Sequence, residues 1–309
     1  MESCKPNTYC LNSTLHKKFL LKYITSKING KNELLYKDFG FYFSKDKNYV
    51  FKLTPVLEGK NVILYIFDKK SKKDNLSYCL KLTLKKRYEK DGFYYFKESK
   101  VDNINRGVCG IKKKVIQTTI DGTYLIKLVD AINKIFNVEV SKLDDDATLT
   151  ICDKNMKIKL IKLLSTGKTW YEKTGGFELS EKSIYKDAKE VAETKYEYYY
   201  DIMKTEKLSA LDGDFEQLDV KDLEKVLKIL EKYGLSKKDT IKKIVKKIFE
   251  TKDGSIANCD KKHIYKFVLD LPDRMRAYKD KDSKYDKYRN YRNLIKGLTG
   301  FNSSIKKYN

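Results

Sequence analysis

Short runs of β-branched and aromatic residues, separated by polar breaks, occupy the first third of the chain and predict an antiparallel sheet. Val62–Phe67 is apolar throughout and predicts a central strand, whereas 76–84 ends in an apolar–polar alternation and predicts a strand with one exposed face. Similar runs at 34–43 and 49–54 predict two more strands, and the short polar connections between runs suit hairpins. Before them, Phe19–Ile24 predicts one helix after a polar tail.

The pattern changes at Val115, after which strands and helices alternate. The apolar residues beyond Asp121-Gly122 recur at helical spacing and predict a helix that ends near Ile135. The other elements predicted here are strands at 115–120, 138–143 and 147–152 and a helix at 156–165. The order strand, helix, strand, helix, strand is typical of a partly parallel sheet covered by helices.

An aromatic pair follows the last of these helices. Trp170 is the only tryptophan of the chain and stands beside Tyr171. Gly175-Gly176-Phe177 comes directly after, so the segment predicts a helix that ends at the aromatic pair and turns into a strand.

The chain beyond Glu181 is predicted to be helical, with apolar stripes at 184–202, 218–233, 239–249 and 263–271. Four lysines share the face of the third helix opposite its apolar stripe, and they are candidates to contact nucleic acid: Lys242, Lys243, Lys246 and Lys247. The predicted organisation is therefore a tail with a short helix at 1–32, an α/β core at 33–180 and a helical, lysine- and tyrosine-rich region at 181–309.

Composition permits a large core and favours anionic partners. The chain has 309 residues, 41% of them hydrophobic, which is enough for one or two cores. Its net charge of +23 favours nucleic acid, phosphorylated cofactors or other polyanions. The alternative is compositional drift, in which an AT-rich genome enriches lysine and tyrosine without selection for a ligand.

The six cysteines are scattered without a Cys-x-x-Cys pair, and the chain has only two histidines, so a zinc site is not expected. Scattered cysteines in a chain of this length are typical of reduced thiols in a cytosolic protein. Neither a signal-peptide core nor a run of about 18 apolar residues is present, and we expect a soluble intracellular protein without a membrane partner.

Four sequence features invite a chemical interpretation and support it poorly. Gly167-Lys168-Thr169 is not a phosphate loop, because Lys162 stands where that motif needs glycine and the segment closes a helix instead of opening one. Asp144–Asp146 could hold Mg²⁺, but nothing nearby supplies a nucleophile or phosphate cradle, and a solvated turn explains it better. His16 and His263 have no evident catalytic partners. The aromatic, basic run 87–105 could stack nucleobases, although a strand with one buried face is the commoner explanation.

The segment from residue 115 to 179 resembles the second half of a GNAT-type N-acyltransferase. That family typically ends its last core helix with a Tyr-Glu-Lys-x-Gly-Phe phrase, and Tyr171-Glu-Lys-Thr-Gly-Gly-Phe177 is similar to it with one extra glycine. The meander at 34–84 suits the antiparallel first half of the family. The wording Gly167-Lys-Thr-Trp-Tyr171 is also similar to GNAT-like proteins of nucleocytoplasmic large DNA viruses.

The resemblance implies acetyl-coenzyme A as cofactor and Tyr171 as the general acid toward the departing thiolate. The alternative is that Trp170 and Tyr171 only pack against the core. The family binds pyrophosphate at a helix start through Gln/Arg-x-x-Gly-x-Gly/Ala, which would assign Gln117, Gly122, Thr123 and Tyr124 to the cofactor. Ile120 replaces the middle glycine and Asp121 adds negative charge, and both changes oppose coenzyme A binding.

Two functions of different classes follow. One is a divergent GNAT-like enzyme that transfers an acetyl group from acetyl-coenzyme A to an amine. The other is a catalytically inactive viral structural or nucleic-acid-binding protein that uses its basic surface, with the host cytoplasm, virus factory or virion as its location and self-association as a further possibility.

Overall fold

The computed structural model describes residues 9–10, 14–30, 39–42, 50–68, 78–104, 110–112, 117–119, 122–144, 148–205, 220–251, 254–269, 286–299 and 303–308. The chain forms two compact units. Unit 1 comprises residues 1–144, 174–178 and 303–309, and unit 2 comprises residues 145–173 and 179–302. Along the sequence, unit 2 is therefore an insertion between parts of unit 1.

The elements in chain order are β1 (Tyr9–Cys10), α1 (Thr14–Ile28), β2 (Phe39–Tyr42), β3 (Val50–Glu58), β4 (Asn61–Asp68), β5 (Leu80–Lys90), β6 (Phe93–Ile104), β7 (Gly110–Lys112), β8 (Gln117–Thr119), α2 (Gly122–Ile135), β9 (Val140–Asp144), β10 (Thr148–Ile151), β11 (Lys154–Lys157), α3 (Ile158–Thr166), α4 (Trp170–Gly175), β12 (Glu178–Leu179), α5 (Ser183–Glu193), α6 (Tyr196–Thr205), α7 (Val220–Lys232), α8 (Ile241–Glu250), α9 (Asn258–Ile264) with a π-helical turn Tyr265–Leu269, α10 (Asp286–Thr299) and β13 (Ser303–Lys307).

The main sheet is mixed and has the strand order β1-β2-β3-β4-β5-β6-β9-β13-β12. Strands β2 to β6 form an antiparallel meander, in agreement with the sequence. The next neighbour, β9, runs parallel to β6, and β13 pairs antiparallel with β9. The prediction of an α/β fold with a mixed sheet is thus confirmed.

Burial along the strands follows the hydrophobic pattern. In β4, Val62, Ile63, Leu64 and Ile66 are each at most 4% exposed, and only Tyr65 among Val62–Ile66 is half-buried. Strand β4 is therefore a central strand, as predicted. In β5, Leu80, Leu82 and Leu84 are fully buried and Lys81 is half-buried. Thr83, on the face predicted to be exposed, is buried, so the predicted alternation holds only in part. The β5–β6 hairpin turns at Asp91-Gly92, where both residues have positive φ (53° and 74°), a geometry that the Asp-Gly dipeptide favours.

Two helices complete the core of unit 1. Helix α1 contacts β3 and β6, and Tyr94 donates its backbone N–H to Thr25 Oγ1 (3.1 Å). Helix α2 contacts β6 and buries Leu125, Leu128, Val129 and Ile132. Just beyond α2, the Phe136 ring meets the Phe96 ring edge-on at 5.7 Å.

The C-terminal strand belongs to this sheet, which differs from the predicted helical region at 181–309. Strand β13 pairs residue by residue with β9, from Ser303 opposite Asp144 to Lys307 opposite Val140. Polar contacts to α2 reinforce the pairing: Lys306 Nζ lies 2.6 Å and 2.7 Å from the two Asp130 carboxylate oxygens, and Tyr308 donates its hydroxyl to Asp130 Oδ1 (2.7 Å). Asn133 in turn donates to Tyr308 Oη (3.0 Å).

Unit 2 has its own apolar cluster, built mainly from α3 and α5 to α10. Tyr196 and Tyr199 are buried in it, and burial raises the pKa of both phenols far above the ordinary value, so they are neutral core residues at physiological pH. The predicted helix 184–202 is two helices, because the chain breaks at Thr194-Lys195, where Lys195 forms a β-bridge with Thr240.

Two further expectations need correction. The strand predicted at 115–120 does not lie beside β9, because β8 pairs with β7 in a separate two-stranded hairpin. Cys79, which is buried just before β5, is disulfide-bonded, so the expectation of reduced thiols fails for this residue.

Candidate functional site

The residues predicted to hold a cofactor lie at the start of α2. Helix α2 begins at Gly122, the last glycine of the proposed pyrophosphate segment, and has no acidic residue in its first turn. Gly122 is buried and Thr123 is half-buried. Gln117 begins β8, opposite Lys112 of β7. The side chains of Gln117 and Tyr124, and residues Ile120 and Asp121, lie outside the described residues.

The parallel strands beside this segment stop pairing before β6 ends. The last paired residues of β6 and β9 are Val101 and Leu143, whereas β6 continues along β5 to Ile104. The β5–β6 register shifts at the same level, where Leu82 faces Val101 and Lys81 faces Asn103, so Asp102 bulges from the ladder. Within the paired part of β6 and β9, Ser99 donates its buried hydroxyl to Ser141 Oγ (2.8 Å).

Asp144, the last residue of β9, is paired with a lysine of β6. The Asp144 carboxylate lies 2.8 Å from Lys100 Nζ, and hydrogen bonding to Asp144 raises the pKa of Lys100. Asp145 and Asp146 lie outside the described residues. Within the described ranges, no group of three or more His, Cys, Asp or Glu side chains is arranged to hold a metal ion.

The aromatic pair begins a helix instead of ending one, which corrects the sequence prediction. Gly167 ends α3 in the left-handed conformation (φ 74°), and the buried Thr169 then starts α4 by accepting the Glu172 N–H on Oγ1 (3.0 Å). Trp170 and Tyr171 are half-buried, and their rings meet edge-on at 4.8 Å.

Glu172 fixes α4 to the following segment. Its carboxylate accepts the Tyr185 hydroxyl (2.9 Å), and the same Tyr185 oxygen accepts the Leu179 N–H (3.0 Å). Glu172, the residue after Tyr171 in the family-like phrase, therefore has a structural role in unit 2. Tyr171 belongs to unit 2, whereas Gly122 and Thr123 belong to unit 1.

Gly175 and Gly176 are required for different structural reasons. A Cβ on Gly175 would overlap the Ile126 side chain and lie 3.1 Å from the Phe177 ring. Gly176 has a φ of +71°, which residues with a Cβ rarely adopt. Phe177 is fully buried after this turn. Close packing on α2 thus explains one glycine and backbone geometry the other.

The four lysines predicted to contact nucleic acid lie on α8 and are all exposed. Lys242 Nζ lies 3.0 Å from Glu193 Oε1, and Lys243 Nζ lies 2.5 Å from Asp239 Oδ1. Lys246 and Lys247 form no ion pair with any carboxylate of the part of the chain that the structure describes. The sequence grouped these four residues, and the structure separates them into a paired half and an unpaired half.

A cavity of about 560 Å³ extends beside the unpaired lysines, between the end of α7 and α8. Tyr233, Leu235, Lys246, Lys247, Glu250 and Thr251 are among its lining residues; we call it the basic groove. Tyr233 is not recognisable from the sequence as a lining residue, because it falls at the end of an apolar stripe and resembles a core residue.

Two thiols approach each other elsewhere in unit 2. Cys152, at the β10–β11 turn, lies with its Sγ 3.4 Å from Cys259 Sγ in the first turn of α9. Cys259 is exposed and Cys152 half-buried, and hydrogen bonding to Cys259 raises the pKa of Cys152. Separated by 107 positions, the two residues could not be paired from the sequence.

None of the helices in the described part of the chain is both long and apolar enough to cross a lipid bilayer. No protein-family model, curated protein or solved structure matches the chain.

Proposed function

We propose that the chain contains a divergent GNAT-type core that transfers an acetyl group from acetyl-coenzyme A to an amine. The observation that carries the proposal is the order of elements around the parallel pair. An antiparallel meander ends in β6, and α2 follows after the β7–β8 hairpin. Strand β9 returns parallel to β6, and beyond the β10–β11 hairpin α3 and α4 precede the short strand β12. This order supports the resemblance that the Tyr171–Phe177 phrase suggests.

The start of α2 fits a phosphate group in two respects and opposes it in one. Helix N-termini present free N–H groups and a positive dipole end, and the first turn of α2 from Gly122 onward carries no carboxylate, whereas Asp121 directly before it opposes an anion. In this proposal Gly122 and Thr123 contribute their backbone N–H groups to the pyrophosphate, and Gln117 and Tyr124 flank it.

The chemistry assigned to the chain is a proton transfer. Acetyl-coenzyme A supplies a thioester whose C–S bond breaks as the amine nitrogen of the acceptor forms a C–N bond with the carbonyl carbon. Tyr171 donates its phenolic proton to the departing sulfur, and the proton lost by the amine passes through solvent and restores the phenol. The acceptor class in this proposal is an amine.

The test is a thermal shift with acetyl-coenzyme A. A ligand that binds only the native state raises the melting temperature, and at a concentration of 100 Kd it adds about 2.7 kcal/mol to the free energy of unfolding. Thr123→Glu should abolish the shift, because it introduces a carboxylate where the pyrophosphate would bind. Lys134→Gln in the last turn of α2 changes the charge equally and should retain the shift.

A second readout separates binding from chemistry. Tyr171→Phe should keep the shift with acetyl-coenzyme A and lower amine-dependent thiol release by about 10²–10⁴-fold, the usual contribution of a general acid. The alternative of a catalytically inactive protein predicts no shift at millimolar acetyl-coenzyme A. That result would overturn the proposal.

A further inference from the structure

The basic groove combines positive charge with an aromatic wall. The Lys246 and Lys247 side chains are exposed at its edge, and among the described residues no carboxylate pairs with either. Glu250, which also lines the groove, is already neutralised: Lys162 Nζ lies 2.7 Å and 2.8 Å from its carboxylate oxygens, and Ser165 donates to it as well (3.0 Å). The groove therefore has a net positive charge.

Tyr233 is held rigidly in the groove wall. It donates its hydroxyl to Asp260 Oδ2 (2.6 Å) and accepts the Ala257 N–H (3.1 Å). Lys232 also pairs with Asp260 (2.8 Å), and its Nζ lies 5.1 Å from the Tyr233 ring centroid. Because the hydroxyl is fixed, the half-buried ring is an ordered part of the groove wall, and a ligand packed against it would pay little entropic cost to order it.

We propose that the basic groove binds single-stranded nucleic acid, with Lys246 and Lys247 at neighbouring phosphates and a base against the Tyr233 ring. This function is separate from acetyl transfer. Lysines beside an aromatic ring, here the half-buried Tyr233, are the combination by which proteins bind single strands without sequence preference. A duplex offers no free base face to the ring.

The other α8 lysines favour a strand over a mononucleotide. Lys242 and Lys243 precede Lys246 and Lys247 by one helical turn, so the four lysines form a double row along α8. The first two also form exposed ion pairs with Glu193 and Asp239, which a phosphate would have to displace. A mononucleotide would reach only the lysines that line the groove, Lys243, Lys246 and Lys247, whereas consecutive phosphates of a strand would also reach Lys242.

Fluorescence anisotropy of the full chain with a labelled oligothymidylate of about 16 nucleotides tests the proposal. Lys246→Glu/Lys247→Glu should weaken binding at least tenfold and reduce the slope of log K against log salt by about 1.4, since each phosphate contact to a single strand contributes about 0.7. The matched control is Lys225→Glu/Lys228→Glu, which makes the same charge change at exposed positions of α7 outside the groove lining. It should weaken binding less than threefold.

Two variants of Tyr233 test the stacking contact. Tyr233→Phe keeps the ring and should leave the affinity within about twofold, whereas Tyr233→Leu should weaken it about tenfold, the range of base–aromatic stacking. Melting curves of both variants establish that they are folded. Equal affinities of the Phe and Leu variants would overturn the base contact.

Three other results would overturn the proposal. Equal losses in the two double-lysine variants would mean diffuse attraction to the whole basic surface. Equal affinity for a duplex of the same length would remove the selectivity for single strands. Displacement of the oligonucleotide by equimolar inorganic phosphate or ATP would identify a small-anion site instead. Acetyl-coenzyme A binding is unaffected by any of these outcomes, so the two proposals fail independently.

Discussion

At the residue scale, Gly175 shows how close packing restricts a single position. Its Cα approaches α2 so closely that a methyl group there would overlap Ile126. A glycine-to-alanine change usually stabilises a protein by about 0.4–1 kcal/mol through the unfolded chain when the native conformation permits it. Overpacking costs about 1–3 kcal/mol. Because this exceeds the gain from the unfolded chain, the overlap with Ile126 makes the substitution destabilising.

We therefore expect Gly175→Ala to lower the free energy of unfolding by about 1–2 kcal/mol in urea titrations. Ile126→Ala removes the overlapping methyl group and creates a cavity of its own. In a double-mutant cycle the two changes should couple favourably, with the Gly175→Ala penalty reduced or lost in the Ile126→Ala background. An additive cycle would contradict this explanation.

His263 makes stability depend on pH near neutrality. The imidazole is half-buried, its ring lies 4.6 Å from the Phe267 ring, and Nε2 lies 3.0 Å from the Asp222 carbonyl oxygen. Burial lowers the pKa of His263, and the nearby Lys225 and Lys266 act in the same direction against the opposing effect of Asp222. The folded state therefore prefers the neutral ring.

The expected result is a loss of stability as the pH falls. A lowered folded pKa means that the unfolded state binds more protons below about pH 6.5, so this contribution is complete above that pH and decreases as the pH falls through the folded pKa. Melting temperatures of the wild type should fall between pH 8 and pH 5.5 more than those of His263→Gln. Parallel curves would contradict the assignment, since His16 is present in both proteins.

At the element scale, the periodic elements were predictable and the non-periodic ones were not. Helix α8 was found from its apolar stripe, and β4 from an uninterrupted apolar run. Strand β13 escaped prediction because Ser303–Lys307 has a single apolar residue, Ile305, and one of its serines, Ser304, is fully buried. Its position depends on pairing with β9, a contact between distant residues that local pattern does not encode.

The same limit applies to the candidate sites. The four α8 lysines could be grouped from helical spacing, and the start of α2 from the Asp121-Gly122 turn. Two of these lysines form ion pairs with Glu193 and Asp239, and these partners can be recognised only in the folded chain. The start of α4 at Trp170 is hard to predict, because Gly167 marks a helix end in the sequence while the capping role of Thr169 depends on the folded backbone.

Tyr308 should be a stabilising contact between β13 and α2. Burial raises the pKa of Tyr308, so the phenol stays neutral and donates to Asp130. Tyr308→Phe removes this bond and leaves the Asn133 amide without its acceptor, and we expect a loss of about 1–2 kcal/mol. Hydrogen exchange should speed up at β9 and β13 amides, while Lys307→Ala, at an exposed position, should change the rates little. Unchanged exchange in Tyr308→Phe would contradict the assignment.

Mild oxidation should join β10–β11 to α9. With a disulfide oxidant such as oxidised glutathione, Cys152 and Cys259 would lose two protons and two electrons as their S–S bond forms and glutathione is reduced. A cross-link over a loop of this length raises the free energy of unfolding by up to about 4.7 kcal/mol in the chain-entropy model. The melting temperature should rise in the wild type, return with dithiothreitol and stay constant in Cys152→Ser. A rise in Cys152→Ser as well would assign the effect to other cysteines.

At the scale of the whole molecule, each unit has a hydrophobic core of its own. Ile66 is fully buried in unit 1 and Ile244 in unit 2. Domains with separate cores generally fold as units. We therefore expect Ile244→Ala, at a cost of about 2–5 kcal/mol, to accelerate hydrogen exchange in unit 2 and leave unit 1 amides such as those of β4 at wild-type rates. Ile66→Ala should have the reverse effect, and a uniform acceleration in both variants would mean a single cooperative unit.

The late position of β13 also bears on how the protein is made. When a ribosome has finished β9, the partner strand of β9 has not yet been synthesised, and about 160 residues separate the two, which is a delay on the order of ten seconds at ~5–20 residues per second. During that delay one edge of β9 is unpaired and open to association with other nascent chains. Unit 1 can complete this part of its sheet only after β13 has been synthesised. A truncation that removes Ser303–Lys307 would therefore leave β9 without its antiparallel partner.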